Sequence, residues 1–141
     1  MDIQAIQQGL VNALAPITGL RAYAALPDSI NPPVCAVTEL DVTYNGTFAG
    51  SASSYGMVET LFSLGLYVSR ADDAAGRKAL VGYLNPSGSQ SIPAALQTDR
   101  TLGGACRTMI VERVRGAYRL YTIGSIDYLG ATFDVRVWST P

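Results

Sequence analysis

Few side chains in this 141-residue sequence stand in patterns that could do chemistry. There is no histidine. A Ser-His-Asp or Cys-His arrangement is therefore impossible, and so is a histidine-ligated zinc site. The two cysteines, Cys35 and Cys106, cannot make a four-cysteine site, and they read as small, reduced core residues. Asp72 and Asp73 could be imagined as metal ligands, but the positive N-terminal end of a helix accounts for the pair without a metal. Asp99, Glu112, Asp127 and Asp134 are scattered without ligand-like spacing, and nothing singles out a glycosidase-type carboxylate pair. Gly103-Gly104 lacks the strand-loop-helix context of a phosphate loop, and the single lysine, Lys78, falls inside an expected helix. The sequence points away from an enzyme and away from a metal or cofactor.

Composition supports a folded subunit that associates. Apolar residues make up 48% and charged residues only 15%, which excludes disorder and suggests that part of the surface is covered, most simply by self-association. The length fits one domain, 1–141. The long uncharged stretches, from Ile3 to Leu20, Val42 to Val58 and Ala79 to Thr98, are broken by Gly, Ser, Asn, Gln or Pro, so no membrane span is expected. Met1-Asp2-Ile3-Gln4 has neither the basic nor the apolar region of a signal peptide, so a reducing cytosol is the expected compartment. Asn45-Gly46-Thr47 then reads as a turn, not a glycosylation site.

Net charge is −1, which gives no general pull toward nucleic acid, but the charge is unevenly spread. Residues 1–73 carry two arginines against seven acidic residues. Residues 100–119 carry Arg100, Arg107, Arg113, Arg115 and Arg119 against Glu112 alone. Two readings stand: a basic hairpin that contacts DNA or the acidic patch of a neighbouring subunit, or two segments that neutralise each other within one molecule.

These residues need elements to position them. Ile3, Ile6, Leu10 and Leu14 predict a first helix, with Asp2 as its N-cap and Pro16 ending the pattern. Its opposite face, Gln4, Gln7, Gln8 and Asn12, is polar and uncharged, suited equally to solvent or to a partner. Residues 17–33 read as a connector in which Pro27, Pro32 and Pro33 suppress helix. Val34 to Val37 reads as a buried strand, followed by Val42 to Phe48 with a two-residue turn at Asn45-Gly46. Residues 49–56, which include Ser51, Ser53, Ser54 and Tyr55, read as a mobile or binding loop. Val58, Thr60, Phe62, Leu64, Leu66 and Val68 alternate with Glu59, Leu61, Ser63, Gly65, Tyr67 and Ser69 in a central strand covered by helix on one side. Asp72-Asp73 opens a second helix, and Ser91 caps a third over 93–98. Then come a turn over 99–105, a strand from Cys106 to Val114, a turn at Arg115-Gly116, a strand from Ala117 to Ile123, a turn at Gly124-Ser125 and a last strand. In that last strand Leu129, Ala131, Phe133, Val135 and Val137 oppose Tyr128, Thr132, Asp134, Arg136 and Trp138. The expected fold is α+β, a mainly antiparallel sheet in the order α-β-β-β-α-α-β-β-β.

The N-terminal helix leading into Gly19-Leu20-Arg21-Ala22-Tyr23, then Leu26-Pro27-Asp28-Ser29-Ile30-Asn31-Pro32-Pro33, a strand and Tyr44, resembles a known family. So do Ser69-Arg70, Ser91-Ile92-Pro93-Ala94-Ala95-Leu96 and Asp99-Arg100-Thr101-Leu102-Gly103-Gly104 further on, and the closing β-hairpin region. Over nearly the whole chain, the order and spacing of these pieces resemble the tail terminator proteins of long, non-contractile-tailed bacteriophages, in their short actinobacteriophage form. The resemblance implies a small α+β subunit of a homo-oligomeric, six-membered ring. Such a ring caps the tail tube, ends polymerisation of the major tail tube protein and meets the head-to-tail stopper or connector. DNA would pass through its lumen without sequence-specific binding. It further implies a virion neck location, assembly in the host cytoplasm, and no catalysis, cofactor or membrane. Arg107, Arg113, Arg115 and Arg119, with Ser51, Ser53, Ser54 and Tyr55, are the interface candidates. Thr101, Leu102, Gly103 and Gly104 form an expected structural turn in which the glycines supply positive φ. A head-to-tail stopper or another neck-ring protein is the alternative.

Overall fold

The computed structural model describes residues 2–44, 58–70 and 74–139. The expected Asn45-Gly46 turn, the 49–56 loop and the Asp72-Asp73 helix start lie outside the described residues. The elements are α1 (Ile3–Leu14), β1 (Arg21–Tyr23), β2 (Val34–Tyr44), β3 (Val58–Arg70), α2 (Ala74–Leu84), α3 (Ile92–Gln97), β4 (Thr108–Ile123) and β5 (Ile126–Ser139). The fold is α+β. Its sheet has the strand order β1-β2-β3-β5-β4, antiparallel throughout except for the parallel pair β1 and β2.

α1 forms where apolar residues recur at helical spacing. The Asp2 carboxylate accepts from the Ala5 N–H at 3.2 Å, which satisfies one orphan donor of the first turn. Ile6, Leu10 and Leu14 are buried. α3 starts the same way: the Ser91 hydroxyl accepts from the Ala94 N–H at 3.1 Å, and Pro93 sits where its missing N–H costs nothing. These helices, with α2, cover one face of the sheet. The core beneath them takes Phe62, Leu64 and Leu66 from β3 and Leu129, Ala131, Phe133, Val135 and Val137 from β5, the two strands at the middle of the sheet.

One added strand and several bulges account for the departures from the expected element list. Residues 17–33 are more than a connector, because Arg21–Tyr23 lies clear of the prolines and pairs with Val34 to Ala36 as β1. The two expected strands at Val34 and Val42 are one, β2. Its register shifts between Val37 and Glu39, and the Thr38 hydroxyl donates to the Ser63 carbonyl at 3.1 Å. The expected turn at Arg115-Gly116 is also a bulge. Arg115 pairs with Thr132 and Arg119 with Gly130, so both flanks run along the same strand in the same direction. Gly116 (φ 63°) and Tyr118 (φ 64°) absorb the extra residues. A third bulge, between Tyr67 and Ser69, overturns the expected facing of Ser69. Ser69 turns under α2, where a Cβ on Gly76 would fall 1.8 Å from its Oγ.

Candidate functional site

The face of the sheet opposite the helices takes its side chains from alternate positions of β2, β3, β5 and β4. Register aligns them in rows: Glu39, Ser63, Asp134 and Arg113; then Asp41, Leu61, Arg136 and Ile110; then Thr43, Glu59, Trp138 and Thr108.

Ion pairs lock the β3–β5–β4 part of these rows. Asp134, with 2% of its side chain exposed, accepts from Arg113 Nε at 2.7 Å and from Arg115 Nε at 3.2 Å. Arg136 donates to Glu59 through Nη1 at 3.2 Å, and to Glu112 through Nε. Trp138 Nε1 donates to the other Glu59 oxygen at 3.1 Å. The hydrogen bond to Asp134 holds the Arg113 guanidinium above its ordinary pKa, and that to Glu112 does the same for Arg136. At the far end, Tyr67 and Tyr121 meet edge to face at 5.7 Å, and the Tyr121 hydroxyl donates to the Gly116 carbonyl at 3.1 Å. Burial, reinforced by Tyr121, raises the Tyr67 phenol.

Two of the sequence-derived candidates, Arg113 and Arg115, converge on Asp134. Arg107 precedes β4, its backbone N–H bound to the Trp138 carbonyl at 2.9 Å, and its side chain is exposed. Arg119 lies opposite Gly130 past the bulge and is also exposed. Ser51, Ser53, Ser54 and Tyr55 fall outside the described residues. Of the two readings of the basic segment, neutralisation within one molecule fits Arg113 and Arg115, but their partner comes from β5 rather than from the acidic N-terminal half. Arg107 and Arg119 have no ion-pair partner among the described residues.

The Thr101-to-Gly104 segment is a structural turn, as its glycines suggest. φ is 51° at Leu102, 71° at Gly103 and 90° at Gly104. Its organiser is Asp99, whose carboxylate accepts from the Thr101 hydroxyl (2.7 Å), the Thr101 N–H (3.0 Å) and the Gly103 N–H (2.9 Å). The Thr101 hydroxyl leads these bonds in lowering the Asp99 pKa. The turn packs on α1 at Gly9, where a Cβ would lie 2.9 Å from Leu102 Cβ.

Sequence reasoning missed Glu59, Asp134, Arg136 and Trp138. Alternation places Asp134, Arg136 and Trp138 on one face of the last strand, but only the β3–β5 register brings Glu59 beside them. Among the described residues no cluster of three or more His, Cys, Asp or Glu could hold a metal, and no helix is long and apolar enough to cross a membrane. Both cysteines are free, and burial pushes the Cys35 thiol up to about 12. No protein-family model matches the sequence, and no curated protein matches it.

Proposed function

We propose that this chain is a structural subunit of a phage neck: a tail terminator that forms a ring on the tail tube, ends its growth and joins it to the head connector. One observation carries the reading. β4 is a 16-residue strand at the edge of the sheet, and it leaves Ile110, Val114, Tyr118 and Leu120 between 36% and 53% exposed. An edge strand of this length with apolar side chains on show is a surface that assembly covers.

The helix-free face fits the same role. Its arginines at 113, 115 and 136 are engaged by carboxylates, which leaves fewer free cations to hold passing DNA in a lumen lined by it. A terminator also needs one ring surface complementary to the tube and another that is not, so that growth stops.

Light scattering over a range of concentrations, with and without purified tail tubes, tests this. The expected result is a closed oligomer near six subunits, formed either alone or only on tube ends. A monomer indifferent to tubes would overturn it and favour the head-to-tail stopper.

A further inference from the structure

We propose that copies of this chain join head to tail through their sheets, with the outer edge of β2 at 38–43 in one copy pairing with the β4 edge at 107–111 in the next. This rests on the ring reading above and assigns its contact.

Among the described residues both edges are open, and they lie at the same height. β1 covers β2 only from Val34 to Ala36, so residues 38–43 have a strand partner on one side alone among the described residues. Among the described residues β4 pairs only with β5. Across the sheet Asp41 lies in one row with Ile110, and Thr43 in one row with Thr108. The two edges can therefore meet without a large offset along the strands.

Strand direction fits as well. β2, β3, β5 and β4 alternate in direction, so β4 runs opposite to β2. Setting β4 of one copy beside β2 of the next continues the antiparallel alternation through the junction.

Charge selects this pairing over a two-fold one. The β2 edge carries Glu39 and Asp41, both exposed and without an ion-pair partner among the described residues. The β4 edge carries Arg107, which has no ion-pair partner among the described residues, and, just beyond the stretch, Arg113, which keeps 67% of its side chain exposed while bound to Asp134. Two β2 edges would bring carboxylates together, and two β4 edges would bring arginines together. The head-to-tail junction pairs opposite signs and covers Ile110. The bulges at 111–113 and 115–119 disrupt the rest of β4, which confines regular pairing to its first residues. A heterologous contact of this kind closes into a ring when its rotation allows.

The test uses two full-length variants, Glu39→Arg with Asp41→Arg, and Arg107→Glu with Ile110→Glu, studied by light scattering with tail tubes present and absent. None of these side chains is buried, and circular dichroism confirms the fold. Each variant alone is expected to fall to the 14.9 kDa monomer mass under conditions where the native chain assembles. An equimolar mixture is expected to reassemble, because both of its junctions then join opposite charges. Should either pair unfold, Glu39→Gln with Asp41→Asn, or Arg107→Gln alone, replaces it, and weaker assembly is expected. Assembly of both reversed variants at the native level, or no rescue on mixing, overturns the edge assignment and leaves the ring reading in place. A native chain that stays monomeric even with tubes overturns both.

Discussion

Asp134 keeps 2% of its side chain exposed, whereas Arg113, whose Nε lies 2.7 Å away, keeps 67%. The carboxylate is sealed and the guanidinium is washed by solvent. Arg113 and Arg115 lie across Asp134 from the edge strand, so the sheet's own charged side chains cover an acid that no helix reaches. The Coulomb attraction of such an exposed arginine is largely screened. The energetic weight sits on the carboxylate, which is costly to leave buried without a partner.

Removing the two arginines is therefore expected to cost more than removing the acid. Arg113→Ala with Arg115→Ala takes both guanidiniums from a carboxylate that water then hydrates only in part, and the larger loss is expected there. Asp134→Asn leaves two guanidiniums that solvent can take over, and its loss is expected to be closer to about 1 kcal/mol. Urea unfolding of both variants checks this. Equal losses, or the reverse order, would show that Asp134 does not depend on its arginines.

Two glycines should respond to alanine with opposite signs. A Cβ at Gly130 would fall 2.1 Å from the Leu66 carbonyl oxygen, between the two central strands, where backbone cannot retreat. Gly130→Ala is expected to cost about 3 kcal/mol or more. A Cβ at Gly82 in α2 meets only Gln90 Cβ, at 4.0 Å. Gly82→Ala should raise stability by roughly 0.5–1 kcal/mol through helix propensity. Thermal melts of the two variants suffice, and a tolerated Gly130→Ala would contradict the β3–β5 register.

Asp99 predicts an acid-sensitive turn. Its pKa is lowered in the folded protein, so the stability it contributes is present above the ordinary carboxylate range and disappears as pH falls through the lowered folded value. Asp99→Asn should flatten the acid limb of the stability curve and speed hydrogen exchange at the Gly103 amide, which the carboxylate binds. Unchanged exchange at Gly103 would remove Asp99 as the organiser of the turn.

The parts of this structure set by local chemistry could be read in the sequence. Asp2 and Ser91 cap helices because their short oxygens reach backbone donors three residues on, and that spacing is visible in the chain. The facing of Leu129 through Val137 follows from strict alternation. Positive φ at Gly103 and Gly104 follows from their lack of a Cβ. The bulges were hidden, since Thr38 and Ser69 have the composition of ordinary strand residues and become irregular only against a partner strand. Arg115-Gly116 carries a turn signal, yet β5 continues past it and makes it a bulge. The Glu59–Arg136–Trp138 cluster was hidden for the same reason: residues 77 and 79 positions apart meet only once register is fixed.

Alkaline pH should destabilise the protein, in part through its buried thiol. Cys35 holds its proton up to about 12 in the fold, against 9.0 for an unperturbed thiol. Between those values the unfolded chain releases a proton that the folded chain keeps, so stability is full below about pH 9 and falls as pH rises toward 12. Tyr67, Tyr83 and Cys106 are shifted upward by burial and add to the same trend. The contribution of Cys35 approaches on the order of 1 kcal/mol per pH unit in that window. Cys35→Ala is therefore expected to start less stable at pH 8, because it opens a cavity, but to lose stability more slowly between pH 9 and 11. Urea midpoints at half-unit pH steps measure the two slopes, and identical slopes would mean that the thiol has another route to solvent. In the native protein the same burial should keep Cys35 unreactive toward thiol reagents until urea exposes it, whereas Cys106, at 8% exposure, should react sooner.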